Sequence, residues 1–199
     1  MPNHIYNRLE VIGTDEQVKQ VLEFIKGEPF ENGSEMYIDF NKIIEKPKEL
    51  NIKSDSISTT IQFLLFGTRS GIQEENIEEE QNFIKRFNSK ELRKGFNLAI
   101  ARQANFEKFG YSDWYDWSYA NWGTKWNAYT QSLEKNNVVF FNTAWNGVPD
   151  LMIKLSLIFP DVTLKYTFED YYISWNLEIK NGEVVNQQKN EVEWVPVDK

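Results

Sequence analysis

HIYNRLEVIGTDEQVKQVLEFIKG, residues 4–27, reads as a strand, a stop and a helix in immediate succession. Apolar and polar residues alternate through 4–12, which puts Ile5, Leu9 and Val11 on one face with Asn7 among them. That two-residue period is the mark of a half-buried strand. Gly13 ends it. Thr14-Asp15-Glu16-Gln17 has the form of a capping box, in which Thr14 and Gln17 each satisfy a backbone N–H that a helix start leaves orphaned. Val18, Val21, Leu22 and Ile25 follow at helical spacing, and Gly27 is placed to close the helix. MYIDFNKII, 36–44, alternates again through Met36, Ile38 and Phe40 and predicts a second strand. Residues 1–46 therefore read β-α-β.

The rhythm returns near the other end. KNNVVFFNTAW, 135–145, predicts a strand, and Pro149 suits the first turn of a helix carrying Leu151, Leu155, Ile158 and Phe159. Residues 162–168 and 172–180 alternate as two further strands. Asn181-Gly182 is a two-residue hairpin signal, with 183–185 as the returning strand. The sum is an α+β, ferredoxin-like sandwich (β-α-β … β-α-β-β) interrupted by a helical insertion after the second strand. The expected organisation is a single domain: a core of 1–50 and 123–187, an insertion of 51–122 and a loose polar tail of 188–199.

The insertion is read from IQFLLFG (61–67), NIEEEQNFIKRF (76–87) and a long helix over 89–110 that opens on a Ser89 cap and closes on Gly110. Leu92, Phe96 and Ile100 are its expected apolar stripe. Glu74, Glu75, Glu78, Glu79 and Glu80 form an acidic run, read as a solvated helix start favoured by the helix dipole rather than as a metal cluster.

GYSDWYDWSYANWGTKWNAY, 110–129, holds four tryptophans and four tyrosines. At helical spacing Trp114 and Trp117 share one face, and Tyr115, Tyr119 and Trp122 another. A helix aromatic on two faces is expected to be wedged between layers, with its indoles buried between insertion and sheet, rather than to serve as a stacking platform for bases or sugars. Gly123 is placed to terminate it.

The chain has 199 residues, no cysteine, one histidine and a net charge of −8. Without cysteine there is no disulfide, thiolate metal site or cysteine nucleophile. A lone His4 does not make a zinc site, and it is expected to pair with a backbone group at the start of the first strand. No phosphate-binding glycine loop, dinucleotide fingerprint or GxSxG elbow occurs; LFGTRSG, 65–71, lacks the lysine such a loop needs. Neither a metal nor a cofactor is expected, and a catalytic role is not. No apolar run approaches the roughly 20 residues that span a bilayer, so a cytosolic location is expected, with no membrane partner. Acidity disfavours generic phosphate-backbone binding.

Three stretches together resemble the YubB ferredoxin-like family, found largely on phages, plasmids and other mobile elements. They are MPNHIYNRLEVIG at the start, IDFNKIIEKPKEL (38–50), and DWYDWSYANWGTKWNAY (113–129) with FFNTAWNGVPDLMIKLSLIFPD (140–161). The chain departs mildly in the turn after TAW, which reads NGVPD. The resemblance implies a ferredoxin-like core, no established activity and no catalytic residue.

The candidate binding residues are Trp122, Lys125, Trp126, Asn127, Asn142, Thr143 and Trp145, which place polar groups beside large rings near predicted strand ends. The expected function is that of a non-enzymatic interaction protein of a mobile element, binding a host or phage protein, with an anti-defence inhibitor as one form. The alternatives are a single-stranded nucleic-acid module using sheet-face aromatics, and a small-molecule-binding protein or enzyme.

Overall fold

A computed structural model describes residues 3–53, 55–67, 77–170 and 172–191. The class is α+β. Two compact units are present: 46–117 forms one, and the residues before and after it form the other. Among the described residues no helix is long and apolar enough to cross a membrane.

The second of these is the sheet unit. Its strands are β1 (His4–Ile12), β2 (Tyr129–Glu134), β3 (Val138–Ala144), β4 (Thr163–Glu169), β5 (Ile173–Lys180) and β6 (Glu183–Glu191). They form one antiparallel sheet in the order β2-β3-β1-β4-β5-β6. The alternation in β1 explains its central place. Leu9 stands opposite Val139 on one side and Tyr166 on the other, and all three are buried. Removing such side chains from water stabilises by about 1.5–3 kcal/mol each.

Helices α1 (Asp15–Ile25) and α7 (Pro149–Ile158) cover that face. The Thr14/Gln17 capping box forms as read, and α1 buries Val21 and Ile25. Pro149 occupies the first turn of α7, which buries Leu151, Met152 and Leu155. Gly27 acts differently from its expected role. The cap residue Lys26 is extended, and a Cβ on Gly27 would lie 2.3 Å from the Met36 sulfur. Close packing, not a left-handed turn, requires glycine there.

The predicted strand at 36–44 is not one. Phe40–Ile43 forms a single helical turn, α2, and the preceding residues are irregular. Alternation correctly marked Ile38 and Phe40 as buried. Their backbone, however, is satisfied by side chains instead of a ladder. The Gln131 amide donates to Ile38 O (2.9 Å) and accepts from Ile38 N (2.8 Å), and Asn127 Oδ1 accepts from Phe40 N (2.9 Å). The second strand in the chain is instead Tyr129–Glu134, so residues 46–117 precede it.

Asn181 and Gly182 both take positive φ (48° and 81°), the geometry of a type I′ hairpin. The returning strand β6 runs to Glu191, well past 185, so residues 188–191 are strand and not loose tail. Trp194 and Val195 lie outside the described residues.

The helical unit contains a 3₁₀ turn (Lys48–Leu50), α3 (Ser56–Phe66), α4 (Ile77–Ile84) and α5 (Ser89–Phe109). A further helix, α6 (Trp114–Trp122), begins in this unit and ends in the sheet unit. The cap of α5 is Asn88, whose side chain accepts from Lys90 N and Glu91 N, not Ser89. The Leu92–Phe96–Ile100 stripe does not form the buried face either, since Phe96 and Ile100 are exposed. The buried line is Gly95, Ala99, Arg102, Gln103 and Asn105. Gly95 allows close approach to α3: a Cβ there would sit 2.5 Å from Ile57 Cγ2. Arg102 pairs with Asp113 and donates from Nε to Gln62 Oε1 (3.0 Å), with all three side chains buried. A polar lock therefore replaces an apolar stripe.

Glu78, Glu79 and Glu80 occupy the first turn of α4, and Glu80 accepts from the Thr60 hydroxyl (2.7 Å). Glu74, Glu75 and residues 68–71 lie outside the described residues. Among those described, no group of three or more histidines and acids is placed to hold a metal.

Candidate binding surface

The aromatic window divides by environment. Trp122 is 2% exposed, donates from Nε1 to Ile44 O (3.0 Å) and meets Phe40 edge-on, all within the sheet unit. Trp117 is also buried, and Trp114 is half-buried. Trp126 is 38% exposed, so the expectation of four buried indoles fails there. Gly123 (φ 78°) terminates α6, and Trp126 lies beyond it, outside the periodicity that suggested burial.

Three of the seven candidate residues are structural. Trp122 is core. Asn127 is a bracket: besides Phe40 N its Oδ1 accepts from Ala128 N, and its Nδ2 donates to Asp39 Oδ1 (2.7 Å). Thr143 is fully buried. Lys125, Trp126, Asn142 and Trp145 remain accessible. Lys125 Nζ lies 4.8 Å from the Trp126 ring centroid, a cation–π contact that orients the indole.

Lys125, Trp126 and Asn142 join a face that α1 and α7 leave open. His4, Tyr6, Arg8 and Glu10 point away from the buried side of β1. Register sets Tyr6 opposite Asn142, Arg8 opposite Phe140, and Tyr129 opposite Asn142. Tyr6 is 52% exposed. The Tyr129 hydroxyl donates to Thr143 O (3.1 Å), which spends its one hydrogen, so His4 donates from Nδ1 to Tyr129 (2.8 Å). Trp126 then packs edge-on against Tyr129, with centroids 6.3 Å apart. Burial pushes the Tyr129 phenol above its usual range, so it stays neutral and keeps these bonds at physiological pH.

The charges that the strands place on this face are Arg8, Lys165 and Lys180 against Glu10, Glu134, Glu169, Glu178 and Glu183. Arg8 is already paired with Glu10 at 2.7 Å. Thr167 and Asn176 add a neutral polar pair. The face is thus ringed, polar and mildly acidic.

Trp145, 48% exposed, stands where β3 ends, with φ at +76°. A bulky residue in the left-handed region is an outlier that persists only when its surroundings over-determine it. Here they do. Trp145 N donates to Asn3 O (2.9 Å), and the Thr143 hydroxyl donates to Asn146 O (2.6 Å). Asn7 Nδ2 donates to Thr143 Oγ1 (2.9 Å). The Tyr166 hydroxyl donates to Asn7 Oδ1 (2.5 Å) and accepts from Val148 N (2.7 Å). Gly147 lies so close to Phe168 that a Cβ would fall 2.3 Å from its ring. A buried polar chain thereby holds an exposed indole in one pose.

Burial pushes the Tyr166 phenol far above its ordinary range. An unfolded tyrosine ionises near pH 10, about where stability should begin to fall, by about 1.4 kcal/mol per pH unit. Below that pH both states keep the proton and nothing is lost. Tyr166→Phe orphans Asn7 Oδ1 and Val148 N, at a cost of about 1–3 kcal/mol. The wild-type advantage over Tyr166→Phe is therefore full below about pH 10 and shrinks above it. Urea midpoints across that range check this, and a gap that stays constant would contradict it.

His4, Tyr6 and Tyr129 were not among the candidates. The signal was present: the alternation that buries Ile5, Asn7 and Leu9 necessarily presents His4, Tyr6 and Arg8 on the other side.

No family model matches the chain, and no curated protein matches it. Among solved structures it is similar to the crystal structure of protein api92 from Yersinia pseudotuberculosis, of the family model DUF1281. That likeness has a TM-score of 0.48 and 12% identity, over 98% of this chain and 100% of the other.

Proposed function

We propose that this chain is a protein-binding module of a mobile element, whose working surface is the open sheet face carrying Tyr6, Tyr129, His4 and Trp126. Its partner on this reading is a host or phage protein, and inhibition of a host defence protein is one form the role takes. The observation that carries the reading is an accessible patch of rings and neutral polar groups braced from behind. Tyrosine and tryptophan supply large contact area at low entropic cost, and asparagine and serine adapt their hydrogen bonds to a partner. Five carboxylates against three cations suit a basic protein surface better than a phosphate backbone.

A ferredoxin-like core belongs to the same proposal. The succession β1-α1-β2-β3-α7-β4 with strand order β2-β3-β1-β4 is that of two interleaved β-α-β units, extended by β5 and β6. The resemblance to the YubB family supports it, with the helical unit inserted between α1 and β2.

One observation favours a second reading. Tyr6 and Phe140 lie on the two adjacent strands β1 and β3, as stacking rings do on sheets that bind single-stranded RNA.

The test is capture from host lysate by the wild type and by Tyr6→Ala/Trp126→Ala in parallel. A specific partner depleted at least ~10-fold by the variant, about 1.4 kcal/mol of affinity, is the expected result. Equal recovery by both contradicts it. Salt-sensitive binding of single-stranded oligonucleotides, lost in Tyr6→Ala, would move the assignment to the second reading.

A further inference from the structure

We propose that the cavity beside Trp145 takes an arginine side chain of the protein partner. This rests on the protein-binding reading and names the chemistry of the residue recognised.

The cavity measures about 290 Å³ and is walled by Trp145, Phe168 and Trp175, with Ile5, Pro149 and Asp170 at its edges. That is small for a whole metabolite and adequate for one side chain. Phe168 and Trp175 are cross-strand neighbours stacked 11° from parallel, with centroids 6.3 Å apart. Trp145 lines the same cavity as an exposed indole, locked by the polar chain behind it. An anchor already held in its bound pose loses little entropy when it binds.

Among the described residues Asp170 is the only charged one lining the cavity. Its Oδ1 accepts from Tyr172 N (2.8 Å) and Ile173 N (2.9 Å), which fixes the carboxylate. Oδ2 has no partner among the described residues. Indole faces and a fixed carboxylate both select a cation. The planar guanidinium suits stacking on the exposed indole of Trp145 while it donates to a carboxylate, which an ammonium does less well. The chain already displays this chemistry, with Lys189 Nζ 5.2 Å from the Trp175 centroid. At the rim Pro149 has no N–H to give to an anion, and Val148 N is committed to Tyr166. The net charge of −8 favours a basic partner.

The test follows tryptophan indole N–H signals by NMR while N-acetyl-argininamide is titrated into the full chain. Saturable shifts at Trp145 and Trp175, with Trp122 unmoved, are expected. N-acetyl-glutamine amide, its neutral counterpart, should leave the signals in place. Asp170→Asn keeps an oxygen for the two backbone amides and removes the charge, so affinity should fall about 10-fold, or about 1.4 kcal/mol. Trp145→Ala should abolish the Trp175 shift, with the remaining spectrum showing that the fold is kept. No saturable shift, or equal shifts with the neutral probe or in Asp170→Asn, would overturn the assignment. Either result would do so even where Tyr6- and Trp126-dependent capture succeeds, so the two readings fail separately.

Discussion

Trp122→Ala should destabilise the sheet unit by about 3–5 kcal/mol, while Trp126→Ala should cost under about 1 kcal/mol. The two indoles are four residues apart in one aromatic string, and their environments decide the difference. Trp122 is enclosed against Phe40, and its N–H is spent on Ile44 O. Alanine leaves a large cavity there and an orphaned carbonyl. Trp126 loses only an edge contact to Tyr129 and the approach of Lys125. Urea unfolding of both variants checks the contrast, and equal losses would mean that the string acts as one packed block. Against a total stability of about 5–15 kcal/mol, the larger loss approaches unfolding.

The second large effect is expected in the helical unit. Asp113→Ala should cost about 3–5 kcal/mol, because it strands the buried Arg102 guanidinium. Asp113 also accepts from Tyr115 N at the start of α6, so the helix loses a cap in the same change. Arg102→Met combined with Asp113→Leu should recover much of the loss, since well-packed apolar residues often replace a buried ion pair at little cost. Thermal or urea unfolding reads both variants. A double variant no more stable than Asp113→Ala would show that the pair is not the source of the penalty.

How much of this was legible in the sequence depended on what satisfies the backbone. Where ladders and caps do so, periodicity and turn chemistry sufficed: β1, the Thr14 box, Pro149 and Asn181-Gly182 all read correctly. Where side chains do so, pattern misled. Ile38 and Phe40 alternate like a strand, but distant amides from Gln131 and Asn127 complete their hydrogen bonds. No local rule announces a partner some ninety residues away. In α5 the large apolar residues drew attention, whereas Gly95 sets the close approach to α3. The exposed patch of rings and polar groups was half legible. Lys125, Trp126, Asn142 and Trp145 stood out as rings and polar groups near strand ends. Asn127 and Thr143 carry the same chemistry and are consumed by the fold. Tyr6 was hidden because a strand's outward residues look ordinary until it is known that α1 and α7 both pack on the other side.

The most direct measurement is hydroxyl-radical footprinting of the chain, free and in complex with its captured partner. Protection of Tyr6, Trp126 and Trp145, with buried Trp122 unreactive in both states, is the predicted result. Full reactivity of those three rings in the complex, with protection confined to α4 and α5, would contradict it.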